Sequence, residues 1–101
     1  MMDYQKIIGE MMKEYGGSVD IMARYADVVS ELGELGKELL KGNNYGAEPF
    51  TQTDNLAIEM GDVAAALALL ANALNLNLDE CFEAAMEKYR KRFAQTGQIG
   101  S

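Results

Sequence analysis

Two short segments of the sequence, ELGE at residues 31–34 and EMGD at residues 59–62, repeat the order acid, apolar residue, glycine, acid. Residues three apart share one face of an α-helix, so each segment would present two carboxylates to the same side. Asp27 and Glu38 lengthen the first pair into an acidic stripe. Like charges at this spacing repel one another. The first segment, taken alone, fits both a solvated helix surface and a cation site.

The surroundings of the second segment favour a cation. No charged residue occurs from Val63 through Asn77, and a helix that is apolar on nearly every side is a buried one. No Lys or Arg lies within one helical turn of this acidic pair, so the compensating charge must come from elsewhere. A cation shared by Glu31, Glu34, Glu59 and Asp62 is the simplest source. Ligands that are all oxygen select a hard ion, Mg²⁺ or its substitute Mn²⁺.

The elements that must position these acids are helices, because no alternating strand pattern of any length occurs. Helical signals cover four stretches: residues 3–15, 19–41, about 54–74 and about 79–93. The expected N-caps of the last three are Ser18, Thr53 or Asp54, and Asp79. We therefore predict an all-α fold, a four-helix bundle that forms one domain over residues 1–95 with a flexible tail at 96–101.

The glycine within each acidic segment, Gly33 or Gly61, costs a helix interior about 1 kcal/mol relative to Ala. Each points roughly 130° away from its acids on a helix of 3.6 residues per turn. Gly61 heads a row of small residues with Ala65, Ala68 and Asn72, so we expect another helix to approach closely there. Because one small protomer cannot easily cover the apolar helix, we also expect residues 63–74 to lie at the centre of a dimer.

Composition excludes several classes of function. The formal net charge of −7 argues against nucleic-acid binding, which depends on clustered Lys and Arg. Histidine is absent, which removes His-based bases and the common zinc sites. Cys81 is the only cysteine, so no intrachain disulfide can form. No signal sequence or membrane span is evident, and we expect a cytoplasmic location.

The combination ELGEL…EMGDV resembles the MazG-like all-α nucleoside triphosphate pyrophosphohydrolases. The similarity continues through LNLDECFEAAMEKYRKRF, the fourth helix and its basic end, and covers residues 19–93. Two departures bear on the substrate: Tyr89 stands where family members often have Asn, and the loop 42–53 has no match. The preferred base and sugar are therefore not predicted.

The resemblance implies a helical bundle that assembles into a dimer or tetramer. It also implies Mg²⁺-dependent cleavage of a nucleotide between its α- and β-phosphates, with Glu31, Glu34, Glu59 and Asp62 as metal ligands that activate a water. Which carboxylate acts as the base, and how many ions bind, are left open. Phosphoribosyl-ATP pyrophosphohydrolase is a neighbouring activity of the same fold, and a non-catalytic helical interaction module is the alternative of a different class.

Several further residues are candidates for contacting the nucleotide. Each also has a structural explanation: helix salt bridges for Lys37, a polar contact at a dimer seam for Asn72, and favourable charge at a helix C-terminus for the basic end of the last helix. The candidates are Lys37, Asn72, Lys88, Arg90 and Arg92.

Overall fold

The structure is a computed structural model that describes residues 2–98. Within that range it contains four α-helices and no strand. They are α1 (Tyr4–Tyr15), α2 (Ile21–Gly42), α3 (Leu56–Ala73) and α4 (Leu78–Thr96). The predicted all-α fold is confirmed. α4 ends three residues later than expected, and residues 99–101 of the predicted tail lie outside the described part of the chain.

The start of α2 is fixed by Asp20 rather than by Ser18. The Asp20 carboxylate accepts a hydrogen bond of 2.8 Å from the backbone N–H of Ala23, which satisfies one of the free donors of the first turn. The Ser18 hydroxyl instead accepts from the N–H of Asp20 at 3.1 Å. The prediction of Ser18 was wrong because two capable side chains compete within two positions, and the one nearer the helix makes the cap.

The expected caps of α3 and α4 were also wrong. Asn77, not Asp79, caps α4 by accepting from the N–H of Glu80 at 3.0 Å. Asn55 occupies the N-cap position of α3, but its side chain makes no capping hydrogen bond. The hydroxyl of Thr53 is likewise used elsewhere, as a donor to Glu38.

Helix α3 is the centre of the protomer and packs against both α2 and α1. Three of its alanines, Ala66, Ala68 and Ala71, are the only buried apolar residues in the described part of the chain. Because these side chains are small, the helices can approach α3 closely. By contrast, α4 makes at most slight contact with the other three helices.

The expected close approach at Gly61 was wrong within the protomer. Apart from the adjoining residues and backbone of its own helix, no atom lies within 4 Å of the position that a Cβ would occupy at Gly61 or at Gly33. α1 reaches α3 further along, where the Asn72 amide donates to the carbonyl of Gln5 at 3.0 Å. The glycine that permits this approach lies on α1 itself, since a Cβ at Gly9 would be 3.3 Å from the Asn72 amide nitrogen.

The connection between α2 and α3 folds back onto the end of α2. The ring of Phe50 lies against Gly42, where a Cβ would clash with the ring. The N–H of Thr51 also donates to the Gly42 carbonyl at 2.8 Å. Asn44 and Tyr45 adopt left-handed backbone conformations that reverse the chain, at φ of 50° and 57°. The start of α3 is thus held beside the end of α2.

The protomer is more open than a self-sufficient domain. Its radius of gyration is 16.8 Å, whereas a compact chain of this length has about 13 Å. Large apolar or aromatic side chains on all four helices, among them Leu32, Met60 and Phe82, are at least half exposed. By length and composition α3 could also cross a bilayer, a test that core helices of soluble proteins pass as well.

We predict that Gly61→Ala stabilises the protein by about 1 kcal/mol, because the methyl group enters open space and Ala is the better helix former. Gly9→Ala is the matched control. It brings the same gain in helix propensity, but its methyl group must displace Asn72, so it should be less stable than Gly61→Ala. Urea unfolding measures both variants. A loss of stability in Gly61→Ala would contradict the open environment of Gly61.

Candidate metal centre

Three of the four predicted acids converge. Carboxylate oxygens of Glu31, Glu59 and Asp62, one from each residue, all lie within 4.8 Å of one another. Glu31 and Glu59 are partly buried, and Asp62 is exposed. Three carboxylate oxygens at this separation form one side of a site for a hard divalent cation. The donor set fits Mg²⁺, and the open side leaves room for waters and phosphate oxygens.

The convergence follows from how the two helices cross. Glu31 on α2 meets the acids of α3, whereas Glu38, further along α2, meets Thr53 and Asn55, which precede α3. The two helices are therefore antiparallel, and their acidic faces oppose one another. The spacing of three residues between Glu59 and Asp62 places both carboxylates on the face of α3 that meets α2.

The negative charges in this cluster repel one another. The pKa of Glu31 is raised above its ordinary value, first by partial desolvation and then by the negative charges of Asp62, Asp27, Glu59 and Glu34. A bound cation would remove this penalty, because it favours the charged form of the carboxylate. The electrostatics of the protomer thus favour a cation at this position.

Glu34 and Glu38 are placed differently from the three acids of the cluster. Glu34 is exposed and does not belong to the group within 4.8 Å, although its charge acts on Glu31. Glu38 is turned away into the α2–α3 connection and is only 6% exposed. By spacing alone Glu38 belongs to a uniform acidic stripe, and the sequence pattern gives no sign of its separate set of contacts. The burial of an acid within a charged helix face is visible only once the connection is folded.

The other residues proposed to contact the nucleotide do not belong to this cluster. The contacts described for Asn72, Arg90 and Lys88 are made with residues other than the three acids. Asn72 bonds to Gln5, which joins α1 and α3. Arg90 is paired with Glu83 and Glu87 on its own helix, at 3.8 and 3.5 Å. The Lys88 ammonium group lies 4.8 Å from the ring of Tyr89. Lys37 is exposed on α2, and Arg92 is partly buried on α4.

The acids lie on an open face rather than inside the well-formed cavities. A cavity of about 430 Å³ lies between α1, the α1–α2 connection, the start of α2 and α3, lined in part by Arg24, Leu69 and Asn72. Two smaller or shallower ones lie near the beginnings of α1 and α4. None of these three is lined by Glu31, Glu59 or Asp62. The site would therefore meet a ligand from solvent or be completed by another chain.

The structure is thus an all-α fold in which two neighbouring antiparallel helices bring acidic side chains together. The sequence profile of the MazG nucleotide pyrophosphohydrolase domain matches residues 19–96. The uncharacterized protein YpjD of Bacillus subtilis (strain 168) is 32% identical over 93 residues, which cover 89% of this chain and 79% of YpjD. No solved structure gives a significant match. The chain belongs to the MazG nucleotide pyrophosphohydrolase domain family.

We predict that Glu31→Gln raises the stability of the metal-free protein near neutral pH. The raised pKa of Glu31 means that the folded state disfavours its charged form, so the carboxylate costs stability above that pKa. Below the ordinary glutamate pKa the group is protonated in both states, and the advantage of the variant should vanish. We also expect Mg²⁺ to stabilise the wild type, and the same substitution should abolish that stabilisation.

Thermal unfolding with EDTA and with MgCl₂, at several pH values, measures both effects. Glu14→Gln is the matched control, since Glu14 is an exposed acid of α1 outside the cluster. If Glu31→Gln lowers the stability of the metal-free protein, the carboxylates of the cluster do not destabilise the fold. If the variant responds to Mg²⁺ as the wild type does, the cluster is not the cation site.

Proposed function

We propose that this protein is a Mg²⁺-dependent nucleotide pyrophosphohydrolase. It cleaves a nucleoside or deoxynucleoside triphosphate between the α- and β-phosphates, which gives a monophosphate and pyrophosphate. The observation that carries the proposal is the convergence of the Glu31, Glu59 and Asp62 carboxylates within 4.8 Å. These three residues lie within the region that matches the MazG domain, residues 19–96.

The three converging carboxylates would hold the ion, and Glu34 is proposed as a fourth ligand from the next turn of α2. When bound, Mg²⁺ neutralises phosphate charge and lowers the pKa of a coordinated water. The contribution of the chain is to hold its acids in place before substrate arrives. Because the net charge of the protein is −7, an anionic nucleotide would otherwise be repelled. Mn²⁺ has the same preference for oxygen ligands and is proposed as a substitute.

The protein is further proposed to act as a homodimer or homotetramer. The open shape of the protomer and its exposed apolar side chains support a second copy as the partner that covers α3. α4 hardly contacts its own protomer, so Lys88, Arg90 and Arg92 are proposed to reach substrate phosphates only in the assembly. Lys37 and Asn72 are the other proposed substrate contacts. A cytoplasmic location, without nucleic acid or membrane as partner, completes the proposal.

Two alternative functions can be distinguished from this one, the first by the substrate that is cleaved and the second by the response to Mg²⁺. Phosphoribosyl-ATP pyrophosphohydrolase activity would appear as turnover of that substrate alone. A non-catalytic interaction module would show neither turnover nor stabilisation by Mg²⁺. The experiment is a panel of common and modified nucleotides, with phosphoribosyl-ATP included, assayed with MgCl₂ for release of pyrophosphate as distinct from orthophosphate.

We predict that Glu59→Gln abolishes turnover and leaves helix content unchanged. The substitution keeps the shape of the side chain but removes the charge of a proposed ligand, and the remaining oxygen still accepts from Asn55. Pyrophosphate release and circular dichroism are the measurements, with Glu14→Gln as the control of equal chemistry. Near-normal Mg²⁺-dependent activity in Glu59→Gln would remove this glutamate from the site.

We predict that the protein sediments at micromolar concentration with at least twice the 11.1 kDa mass of the protomer. The physical reason is the exposed apolar surface, which association would remove from water. Analytical ultracentrifugation over a concentration series measures the mass. A monomer throughout the micromolar range would contradict the proposed assembly.

A further inference from the structure

Glu38 is the one charged residue of the described chain that is buried. It lies on the same helix face as Glu31 and Glu34 but does not join the cluster of carboxylates. Its carboxylate accepts a hydrogen bond from the Thr53 hydroxyl at 2.5 Å and one from the Asn55 amide at 3.4 Å. Lys41, one turn further along α2, contributes an ion pair at 3.6 Å. A buried acid with this many partners has a defined position.

The Thr53 hydroxyl holds the Glu38 carboxylate in its charged form. The pKa of Glu38 is lowered, chiefly by the hydrogen bond from Thr53 and further by Asn55 and Lys41, against the opposing effect of burial. A charged carboxylate is a stronger hydrogen-bond acceptor than a neutral one. Glu38 therefore provides a fixed negative acceptor that connects α2 with the segment preceding α3.

Asn55 extends this connection to the metal centre. Its amide nitrogen lies 3.0 Å from Oε1 of Glu59 and 3.4 Å from Oε1 of Glu38, so one NH₂ group is shared between two acids. The opposite orientation of the amide would place its oxygen against two carboxylates, so the charges dictate which atom faces them. A carboxylate has about four acceptor sites, and this contact leaves Glu59 others for a cation.

Asn55 occupies the N-cap position of α3 but does not act as a cap. Asn at the start of a helix normally caps it by accepting from a backbone N–H of the first turn. The Asn55 side chain makes no such bond, although it occupies the N-cap of α3. Its hydrogen bonds run to the two acids instead, so the loss of its amide would remove the contact to Glu59 without removing a cap.

We propose that Glu38, Thr53 and Asn55 are positioning residues that hold Glu59 in place for the cation. The chain of contacts runs from the Thr53 hydroxyl to Glu38, from Glu38 to the Asn55 amide, and from that amide to Glu59. This proposal rests on the proposed metal site. Partners that orient a metal ligand in this way typically contribute 10- to 100-fold in affinity for the metal.

The test is titration of the full-length protein with MgCl₂ alone, followed by calorimetry, with urea unfolding of each metal-free variant measured alongside. Asn55→Ala should weaken Mg²⁺ binding by about 10-fold. Thr53→Val removes the hydroxyl at similar size and should weaken binding as well, whereas Thr53→Ser keeps the donor and should bind as the wild type does. Gln52→Ala is the control, an exposed amide in the same connection.

The outcomes separate this proposal from the proposed function. A purely structural role would lower metal-free stability and leave the Mg²⁺ affinity of Asn55→Ala and Thr53→Val unchanged, which would overturn the proposal. Wild-type protein that does not bind Mg²⁺ would overturn it together with the metal site. Wild-type protein that binds Mg²⁺ but cleaves no nucleotide would overturn the proposed function alone, and the affinities of the variants would still decide the role of Asn55.

Discussion

The mutual repulsion of carboxylates across the α2–α3 crossing is the constraint on which this structure depends. Carboxylate oxygens of Glu31, Glu59 and Asp62 lie within 4.8 Å of one another, and partial desolvation together with the neighbouring negative charges raises the pKa of Glu31. A fold that only had to be stable would separate these charges or pair them with Lys or Arg. Within the described residues no ion pair reaches the three acids. The charges therefore oppose folding in the metal-free protein and favour it once a divalent cation binds.

The rest of the protomer can be understood as what keeps these acids opposed. The small residues of α3 let its neighbours pack closely, with three buried alanines at the centre. The connection after α2 is secured by Phe50 against Gly42 and by the hydrogen bonds to Glu38. The remaining surface is open, and α4 makes at most slight contact with the other helices. This openness leaves apolar area for another copy of the chain, which we propose completes both the core and the site.

Much of this arrangement could be predicted from sequence because it is local. The spacing of the acids and the uncharged run after Asp62 predict the helices and the face that carries the carboxylates, whereas the place of residues 63–74 at the centre of a dimer stays a prediction. The failed predictions involve tertiary contacts. Gly61 was expected to receive a neighbouring helix, but α1 meets α3 near Asn72, a crossing point that no local pattern encodes. Glu38 resembled its neighbours in spacing, and only the folded connection separates it from them. The caps were misassigned because several suitable side chains stood within two positions of each helix start.

The most direct measurement of the central claim is the position of a bound ion. Mn²⁺, which shares the oxygen preference of Mg²⁺, can be located in crystals of the protein by its anomalous scattering. The account predicts a peak between α2 and α3, about 2.1 Å from carboxylate oxygens of Glu31, Glu59 and Asp62, with Asn55 still in contact with Glu59. An anomalous map with no peak among these three residues, or with the ion bound only elsewhere on the acidic surface, would contradict it.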